Sequence, residues 1–374
     1  MKGKALFKKS SYKEKRSGDK LLLFSVVLLS LIGLVFVYSA SSYSSESTYG
    51  NKFYVAEKHL AGLLLGYVLM MFSANFDYQR YKKTGIWALI IAVVLLALCF
   101  TPIGVENYGA KRWIKVGPVT VQPSEIAKIC YIIFSTSYFA SDPGRTKTFK
   151  GVLPIVAAGA AICGLIISEP NMSITMCFGM LMLALLFASG AKFRHFAIIL
   201  VPIILLVPVL IIAEPYRLNR LSAFLNPWAS PKGEGYQLLQ SLYALGSGGL
   251  FGVGLFNSRQ KFKFLPFSES DFILAVIGEE VGFFGLVVLF LLIAFIFYRG
   301  IRIAARAKSA FGYLAAVGIT SVFIIQSFIN ALVVTGSIPP TGLPLPLVSA
   351  GNTSLSVFLF SFGALYNISR DCSR

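Results

Sequence analysis

The sequence predicts an all-α protein that crosses a membrane about ten times, and three observations lead to this fold class. Hydrophobic residues make up 56% of the 374 residues and charged residues 13%, whereas soluble domains carry about 25% charged residues. Apolar runs of membrane-spanning length recur from one end of the chain to the other. Basic residues concentrate in alternate connections between these runs, so we attribute the net charge of +18 to membrane topology and not to nucleic-acid binding.

Ten apolar runs are long enough to span a hydrocarbon core about 30 Å thick, which takes about 20 helical residues. In chain order they are 21–43, 58–76, 84–104, 124–140, 152–168, 170–189, 193–213, 271–298, 311–336 and 345–368. The first run follows a basic tail, as a signal peptide would, but it exceeds the roughly 7–15 residues of a signal-peptide core. We therefore interpret it as a retained anchor. The chain then divides into a basic tail at 1–20, a membrane domain at 21–368 and a short tail at 369–374.

The distribution of lysine and arginine predicts the orientation of these runs, because cytoplasmic loops carry an excess of both residues. The N-terminal tail holds eight basic residues between Lys2 and Lys20. Further basic groups lie in the second, fourth, sixth and eighth connections and in the C-terminal tail. Both termini are therefore expected in the cytoplasm. The connections 105–123, 214–270 and 337–344 then face outward, and the long loop 214–270 lies between the seventh and eighth helices.

The first outer connection, YGAKRWIKVGPVTVQPSEIAK (108–128), ends at a predicted helix start. Pro123 suits the first position of a helix, where a missing N–H costs nothing, and Glu125 follows in the first turn. Glu125 and Lys128 are three residues apart, share a helix face and can form an ion pair. Such a pair either neutralises two charges so that the helix can insert, or belongs to a functional site. The sequence leaves both roles open.

The second outer connection, 216–271, contains a predicted interfacial helix, a glycine-rich run and a basic stretch. Apolar residues at helical spacing predict an amphipathic helix at 235–245. The glycine-rich run 246–254 either allows close backbone approach or cradles a phosphate, although it lacks the GK[ST] of an ATP-binding loop. The stretch RQKFK at 259–263 suits an anionic lipid headgroup or a diphosphate, as well as ordinary attraction to the membrane surface.

Three acids mark the start of the eighth run. Asp271 stands where a carboxylate favours the positive end of a helix dipole, so a structural role alone would explain it. Glu279 and Glu280 lie about 12–14 Å deeper at about 1.5 Å per helical residue, where a carboxylate needs a partner, a proton or a wet cavity. Lys128 and Arg112 are the expected partners. We therefore predict a hydrated cavity near the outer side, lined also by the four prolines around the start of the tenth run.

These stretches together resemble the SEDS family (shape, elongation, division and sporulation), which includes the FtsW, RodA and SpoVE proteins. The resemblance rests on KRWIKVGPVTVQPSEIAK, GYQLLQSL, GSGGLFGVGL, NSRQKFKFLP, SDFILAVIGEEVG and NALVVTGSIPPTGLPLPLVSAG, which occur in this order. It implies a peptidoglycan glycosyltransferase, multi-pass in the bacterial cytoplasmic membrane, that polymerises lipid II at the outer face. The partners that it implies are lipid II, a class B penicillin-binding protein and membrane lipids.

The resemblance also implies roles for individual residues. Asp271 falls on the family's essential aspartate and is the candidate general base or metal ligand. The candidate substrate-binding residues are Arg112, Gln122, Glu125, Lys128, Ser258, Gln260, Lys261, Glu279 and Glu280. The sequence departs from the family pattern at three acids, because Asn171, Ser230 and Phe267 stand in their places.

The chemistry of glycan extension agrees with these assignments, because it needs a base for an acceptor hydroxyl and positive charge for a departing diphosphate. Arg112, Lys128, Lys261 or a divalent cation such as Mg²⁺ or Mn²⁺ could supply that charge. His59 and His195 are predicted on opposite sides of the membrane, which argues against a zinc site. Two alternatives stay open: a lipid II flippase or transporter, and a catalytically weak scaffold for a penicillin-binding protein.

Overall fold

The computed structural model describes residues 17–107, 110–117, 119–213 and 215–372. Most of the predicted basic tail at 1–20, and the last two residues of the tail at 369–374, lie outside the described residues. Helices dominate the described chain. Most of their ends lie within a few residues of the boundaries that the apolar runs predict, but α1 and α10 extend beyond their runs, and α3 ends and α12 begins inside theirs.

The described residues form twelve α-helices and three β-strands. The helices are α1 (Lys20–Tyr49), α2 (Tyr54–Asn75), α3 (Gly85–Leu98), α4 (Pro123–Ser141), α5 (Phe149–Ser168), α6 (Met172–Ala188), α7 (Phe193–Ile212), α8 (Pro215–Leu225), α9 (Tyr236–Gly248), α10 (Ile273–Arg306), α11 (Ala310–Val334) and α12 (Asn352–Arg370). The strands are β1 (Gly104–Asn107), β2 (Ala110–Val116) and β3 (Val119–Val121), and they lie between α3 and α4.

Each of the ten predicted apolar runs overlaps one of these helices. Among the described residues, six helices are long and apolar enough to cross a membrane, namely α1, α2, α3 with the 3₁₀ turn Tyr78–Thr84 before it, α5, α10 and α11. The chain is thus a multi-pass membrane protein. The number of ten crossings and the cytoplasmic position of both termini stay predictions.

The helix α11 lies in the interior of the bundle, between α4, α6 and α10. Its buried residues cover most of the helix, among them Ile319, Val322, Phe323 and Ile329. On the remaining face, Tyr313 and Phe328 are exposed. A helix that is apolar all round is expected in the core of a large protein or a membrane bundle. Polar side chains on the buried faces of α11, such as Gln326 and Asn330, are therefore surrounded by protein and must find partners there.

The first outer connection forms a three-stranded antiparallel sheet, which the all-α prediction does not include. β2 pairs with β1 through Val105 and Trp113, and with β3 through Ile114 and Val121. β-branched residues flank Gly117, whose φ of 61° is the left-handed conformation that tight hairpin turns use. Lipid imposes helices on the segments it surrounds, and a connection between spanning helices is free to form strands. The all-α prediction is wrong for this segment.

The helix α10 is broken at Gly282, where the backbone has φ 67° and ψ −167°. The sequence predicts one continuous helix here, and the break corrects that prediction. Two N–H groups of the glycine-rich run 246–254 donate to the carbonyls of Glu279 and Glu280 at 2.9 and 3.0 Å, replacing bonds that the break removes. A Cβ on Gly252 would lie 2.1 Å from the carbonyl oxygen of Glu280. Of the two roles left open for these glycines, the structure supports close backbone approach.

The segment between α11 and α12 follows an irregular course inside the protein, with Leu343 and Leu345 buried. Non-helical backbone at membrane depth needs partners for its polar groups within the protein. Gln326 of α11 supplies one, because its Nε2 donates to the carbonyl of Pro344 at 3.0 Å. Protein contacts therefore hold part of the proline-rich segment 339–346, and its predicted place at the lining of a hydrated cavity stays a prediction.

Candidate functional site

Asp271 lies just before α10, outside the spanning helix, and is partly buried. The fold places it against the proline-rich segment 339–346, since a Cβ on Gly342 would be 3.2 Å from Asp271 Oδ2. Asn330 of α11 donates from Nδ2 to the main-chain carbonyl of Asp271 at 2.8 Å. The carboxylate therefore lies where α10, α11 and the segment before α12 meet.

The surroundings of Asp271 make its carboxylate a stronger base than that of an exposed aspartate. Burial raises the pKa of Asp271 from 3.8 to about 6, although the positive charges of Arg112 and Arg220 lower it and Glu269 raises it. At neutral pH the ionised form still predominates, and a proton that it accepts is held more firmly. Such a carboxylate suits general-base chemistry near neutral pH.

Two arginines from different elements act on Asp271. Arg112 of β2 donates from Nε to the carbonyl of Glu169 at 3.2 Å, and from Nη2 to the carbonyl of the next residue. Arg220 of α8 donates from Nη1 to the carbonyl of Pro340 at 3.1 Å. Main-chain carbonyls thus hold two guanidinium groups near one carboxylate. The sequence motifs indicate Arg112 but not Arg220, whose signal is its place in the basic, amphipathic stretch YRLNRL.

Glu125 and Lys128 form a separate ion pair inside the bundle. Lys128 Nζ lies 2.9 Å from Glu125 Oε1, and the two side chains are 1% and 0% exposed. Gln326 accepts a further hydrogen bond from Lys128 Nζ at 2.6 Å. The ion pair that the spacing predicts is therefore present. A pair so buried would leave an uncompensated charge if one partner were removed. The geometry agrees with charge neutralisation inside the bundle, and a role of the pair in substrate binding stays a prediction.

Glu279 and Glu280 lie buried in the turn before the break in α10. The sequence predicts Lys128 or Arg112 as their partners, and this prediction is wrong. Lys128 is bound in its own ion pair, and Arg112 is bound to main-chain carbonyls. The reason is that the loop before Asp271 folds back over this turn and brings its own hydrogen-bond donors to the two carboxylates.

These donors are a serine and a run of main-chain N–H groups. Ser258 donates its hydroxyl to Glu279 Oε2 and its N–H to Glu280 Oε1, the latter at 3.3 Å. The N–H groups of Arg259 and Gln260 donate to Glu279 at 3.1 and 3.3 Å. Ser258, Gln260, Glu279 and Glu280 therefore form one cluster, which fastens the outer loop to α10.

Lys261 and Gln122 have hydrogen-bond partners of their own. Lys261 is buried and donates from Nζ to a main-chain carbonyl of its own loop. Gln122 precedes α4, and its N–H donates to Thr353 Oγ1 of α12 at 3.2 Å. Among the predicted binding residues, Arg112 acts on Asp271 by its charge, whereas Lys261 and Gln122 are bonded to other parts of the chain.

Glu169 is a buried acid that the sequence motifs do not assign to the site. It is 1% exposed, and among the described residues no nitrogen or oxygen donor reaches its carboxylate. Burial raises the pKa of Glu169 from 4.5 to about 7, while the neighbouring thiol of Cys99 and the charge of Arg112 lower it. The charge of Arg112 therefore acts on two acids, Asp271 and Glu169.

Comparison with known proteins reveals relatives over almost the full length of the chain. The family model of FtsW, RodA and SpoVE, described as a cell cycle protein, matches residues 19–374. Stage V sporulation protein E of Bacillus subtilis is 37% identical over 359 residues, which are 96% of this chain and 98% of that protein. A probable peptidoglycan glycosyltransferase FtsW of Geobacter metallireducens is 35% identical over 366 residues, 96% of this chain and 97% of that protein.

Solved structures share the fold. A chain from a peptidoglycan synthase complex that coordinates polymerization and crosslinking superposes with a TM-score of 0.79, at 26% identity, over 95% of this chain and 98% of that one. The rod shape determining protein RodA of Thermus thermophilus gives a TM-score of 0.70 at 24% identity, over 96% and 98%. With a family model that matches almost the whole sequence, the chain belongs to the FtsW/RodA/SpoVE family, the SEDS proteins.

Proposed function

We propose that this chain is a peptidoglycan glycosyltransferase that polymerises lipid II at the outer face of the bacterial cytoplasmic membrane. Its relatives include proteins named as probable peptidoglycan glycosyltransferases. The observation that carries the proposal is the setting of Asp271, a carboxylate of raised basicity just outside a spanning helix and within the field of two arginines. A lipid-borne sugar diphosphate presents a hydroxyl and a leaving diphosphate that match these groups.

The proposed reaction assigns Asp271 to the acceptor sugar. Its ionised carboxylate takes the proton of an acceptor hydroxyl, and the hydroxyl oxygen forms a bond to the anomeric carbon of the donor sugar. The bond between that carbon and the diphosphate oxygen breaks, and the lipid diphosphate leaves with the electron pair. Arg112 and Arg220 offset the negative charge that the leaving group gains.

A divalent cation such as Mg²⁺ or Mn²⁺ would fit this site together with substrate. Mg²⁺ is usually held by one or two carboxylates and by substrate phosphates. Within the described part of the chain, no three His, Cys, Asp or Glu side chains group together as a metal site. Asp271 would then hold the cation as its protein ligand instead of acting as the base, with the substrate diphosphate as the other partner of the cation. A cation bound there would supply charge neutralisation to the diphosphate.

We propose a class B penicillin-binding protein as the partner. The solved relative at 26% identity belongs to a synthase complex in which polymerization and crosslinking are coordinated. Because that likeness covers nearly the whole of both chains, it supports an assembly of the same kind here. The polymer that this chain makes would be the substrate of the crosslinking partner.

The test is to reconstitute the purified full-length chain in vesicles with labelled lipid II, with and without the penicillin-binding protein. The expected result is a glycan polymer that lengthens with time, forms more slowly after EDTA treatment and recovers when Mg²⁺ is added. Translocation of the lipid headgroup without polymer would contradict the proposal and identify a transporter. A chain that gives neither polymer nor translocation, in the presence of its partner, would contradict it in favour of a scaffold.

A further inference from the structure

The interior helix α11 carries two side-chain amides that are 0% exposed, Gln326 and Asn330. They are four residues apart and so lie on the same face of the helix. Both donate to the proline-rich segment 339–346: Gln326 Nε2 to the carbonyl of Pro344 at 3.0 Å, and Asn330 Nδ2 to that of Leu343 at 2.7 Å. Buried amides of this kind serve to fix whatever they bind.

Asn330 donates a second hydrogen bond, whereas the second hydrogen bond of Gln326 is the one that its Oε1 accepts from Lys128. The same Nδ2 donates to the main-chain carbonyl of Asp271 at 2.8 Å. An amide nitrogen carries two hydrogens, so one side chain can serve two carbonyls. Asn330 therefore bridges Asp271 and Leu343, which belong to segments far apart in the sequence.

Other hydrogen bonds tie the same two segments together. Ser349 donates its hydroxyl to the carbonyl of Ser270 at 2.6 Å, and the N–H of Ala350 donates to the carbonyl of Glu269 at 2.9 Å. The three residues 269–271 are thus fastened to the segment before α12. The bond from Asn330 is the one made at Asp271 itself.

We infer that Asn330 is a positioning residue for Asp271, which holds the aspartate and the segment at Gly342 and Leu343 as one unit. Gly342 lies directly against the carboxylate of Asp271. A shift of the segment 339–346 relative to Asp271 would therefore change the direction in which this carboxylate points. Asn330 binds the main chain of Asp271 and acts through it. The inference rests on the proposed function, because it gives Asp271 a place in the reaction.

The chemistry of the bridge makes asparagine specific at this position. Leucine has nearly the same volume but no donor, and an ionised aspartate has acceptors where two donors are needed. Misplacement of a reacting group by about 1 Å can cost about 100-fold in rate. Loss of the bridge should therefore lower the rate of the chemical step and leave the binding of lipid II nearly unchanged.

The experiment compares N330L, N330D and the isosteric D271N in the full-length chain, reconstituted with its partner. S327A is the control, because Ser327 is buried on the same helix and donates to the carbonyl of Phe323 within that helix. We expect N330L and N330D to lower kcat about 10- to 100-fold, with KM for lipid II close to that of S327A. The melting temperature of N330L shows whether the variant is folded under the conditions of the assay. A wild-type kcat in N330L, or a raised KM at unchanged kcat, would overturn the inference.

A second variant keeps the test decisive if both Asn330 variants fail to fold. S349A removes the neighbouring tie to Ser270 and should lower kcat in the same direction, whereas a wild-type kcat in S349A would overturn the inference. D271N separates the inference from the proposed function. If the wild type makes no polymer, the proposed function has failed; if D271N polymerises lipid II at the wild-type rate, the role of Asp271 has failed and the inference with it; if D271N is inactive and N330L is fully active, the inference alone has failed.

Discussion

Glu169 stands at the end of α5 with its carboxylate buried and the thiol of Cys99 beside it. Burial raises the pKa of Glu169 from 4.5 to about 7, so between these values the folded chain holds a proton that the unfolded chain releases. The stability that the protonated Glu169 contributes to the folded chain is complete below pH 4.5 and is lost as the pH rises through about 7.

We expect E169Q to reduce this dependence of stability on pH, because glutamine keeps the size of the side chain and stays neutral. Between about pH 5 and about pH 8 the melting temperature of the wild type should fall by a few degrees more than that of E169Q. Thermal unfolding in detergent measures the melting temperature of each protein at each pH. E234Q, at an exposed acid, is the control and should follow the wild type. If the melting temperatures of wild type and E169Q fall equally as the pH rises, the buried carboxylate of Glu169 does not contribute to the dependence of stability on pH.

Asn171 stands where the resemblance to the SEDS family implies an aspartate, and the structure shows what this difference changes. Its Oδ1 accepts the N–H of Ile174 at 3.4 Å and caps α6, a role that asparagine and aspartate fill about equally well. The substitution therefore removes a charge from the turn after Glu169 without removing the helix cap. The sequence alone reports the missing acid, and the structure shows that the hydrogen bond survives.

At the scale of the element, the break in α10 depends on glycines from two segments. Gly282 has a φ of 67°, which costs a residue with a side chain about 1–3 kcal/mol. A Cβ on Gly282 would also lie 2.3 Å from the N of Gly252. The glycine-rich run and the broken helix therefore form one structural unit, which presents Glu279 and Glu280 to Ser258.

We expect G282A to destabilise the protein by at least about 2 kcal/mol, from backbone strain and the clash together. G246A is the matched control from the glycine-rich run. Gly246 lies within α9, and its Cβ would meet nothing within 4 Å, so alanine there should be neutral or slightly stabilising. Melting temperature and yield of folded protein measure both. A G282A variant as stable as G246A would contradict this account of the break.

At the scale of the whole molecule, the orientation of the chain stays a prediction from its basic residues. We expect a cysteine at Lys115, exposed on β2, to react with a membrane-impermeant maleimide added to intact cells. A cysteine at Lys150, exposed at the start of α5, should react after permeabilisation and not before. Both substitutions are made with the five native cysteines replaced. The reverse labelling pattern would place the site of Asp271 on the cytoplasmic side.

Hydropathy predicts the helices well because the membrane leaves a spanning segment few other ways to pair its backbone. The same rule gives no information about the strands β1–β3, which lie between spanning helices, or about the break at Gly282. The break depends on hydrogen bonds to the run 246–254, which is distant in the sequence. Hydropathy is a local property, and it contains no signal for such a pairing.

The candidate site can be predicted from the sequence only in part, because some of its residues come together through the packing of elements that are distant in the sequence. The motifs identify Asp271 and Arg112, and the charge of Arg112 acts on Asp271. No motif contains Arg220, and NALVVTGSIPPTGLPLPLVSAG begins at Asn330 without indicating what this residue contacts. Both residues reach Asp271 through the packing of α8 and α11. The prediction that Lys128 is a partner of Glu279 and Glu280 is wrong because Lys128 forms an ion pair with a nearer acid, Glu125.

The central claim is that Asp271 performs or supports the transfer of a lipid-borne sugar. Its most direct test is the rate of glycan polymer formation from lipid II by purified wild type, D271N and E234Q, each with the same penicillin-binding protein. Asparagine keeps the shape of Asp271 and removes its basicity, so D271N should lose at least about 100-fold in rate, while E234Q keeps the wild-type rate. A D271N protein that makes polymer as fast as the wild type would contradict the account.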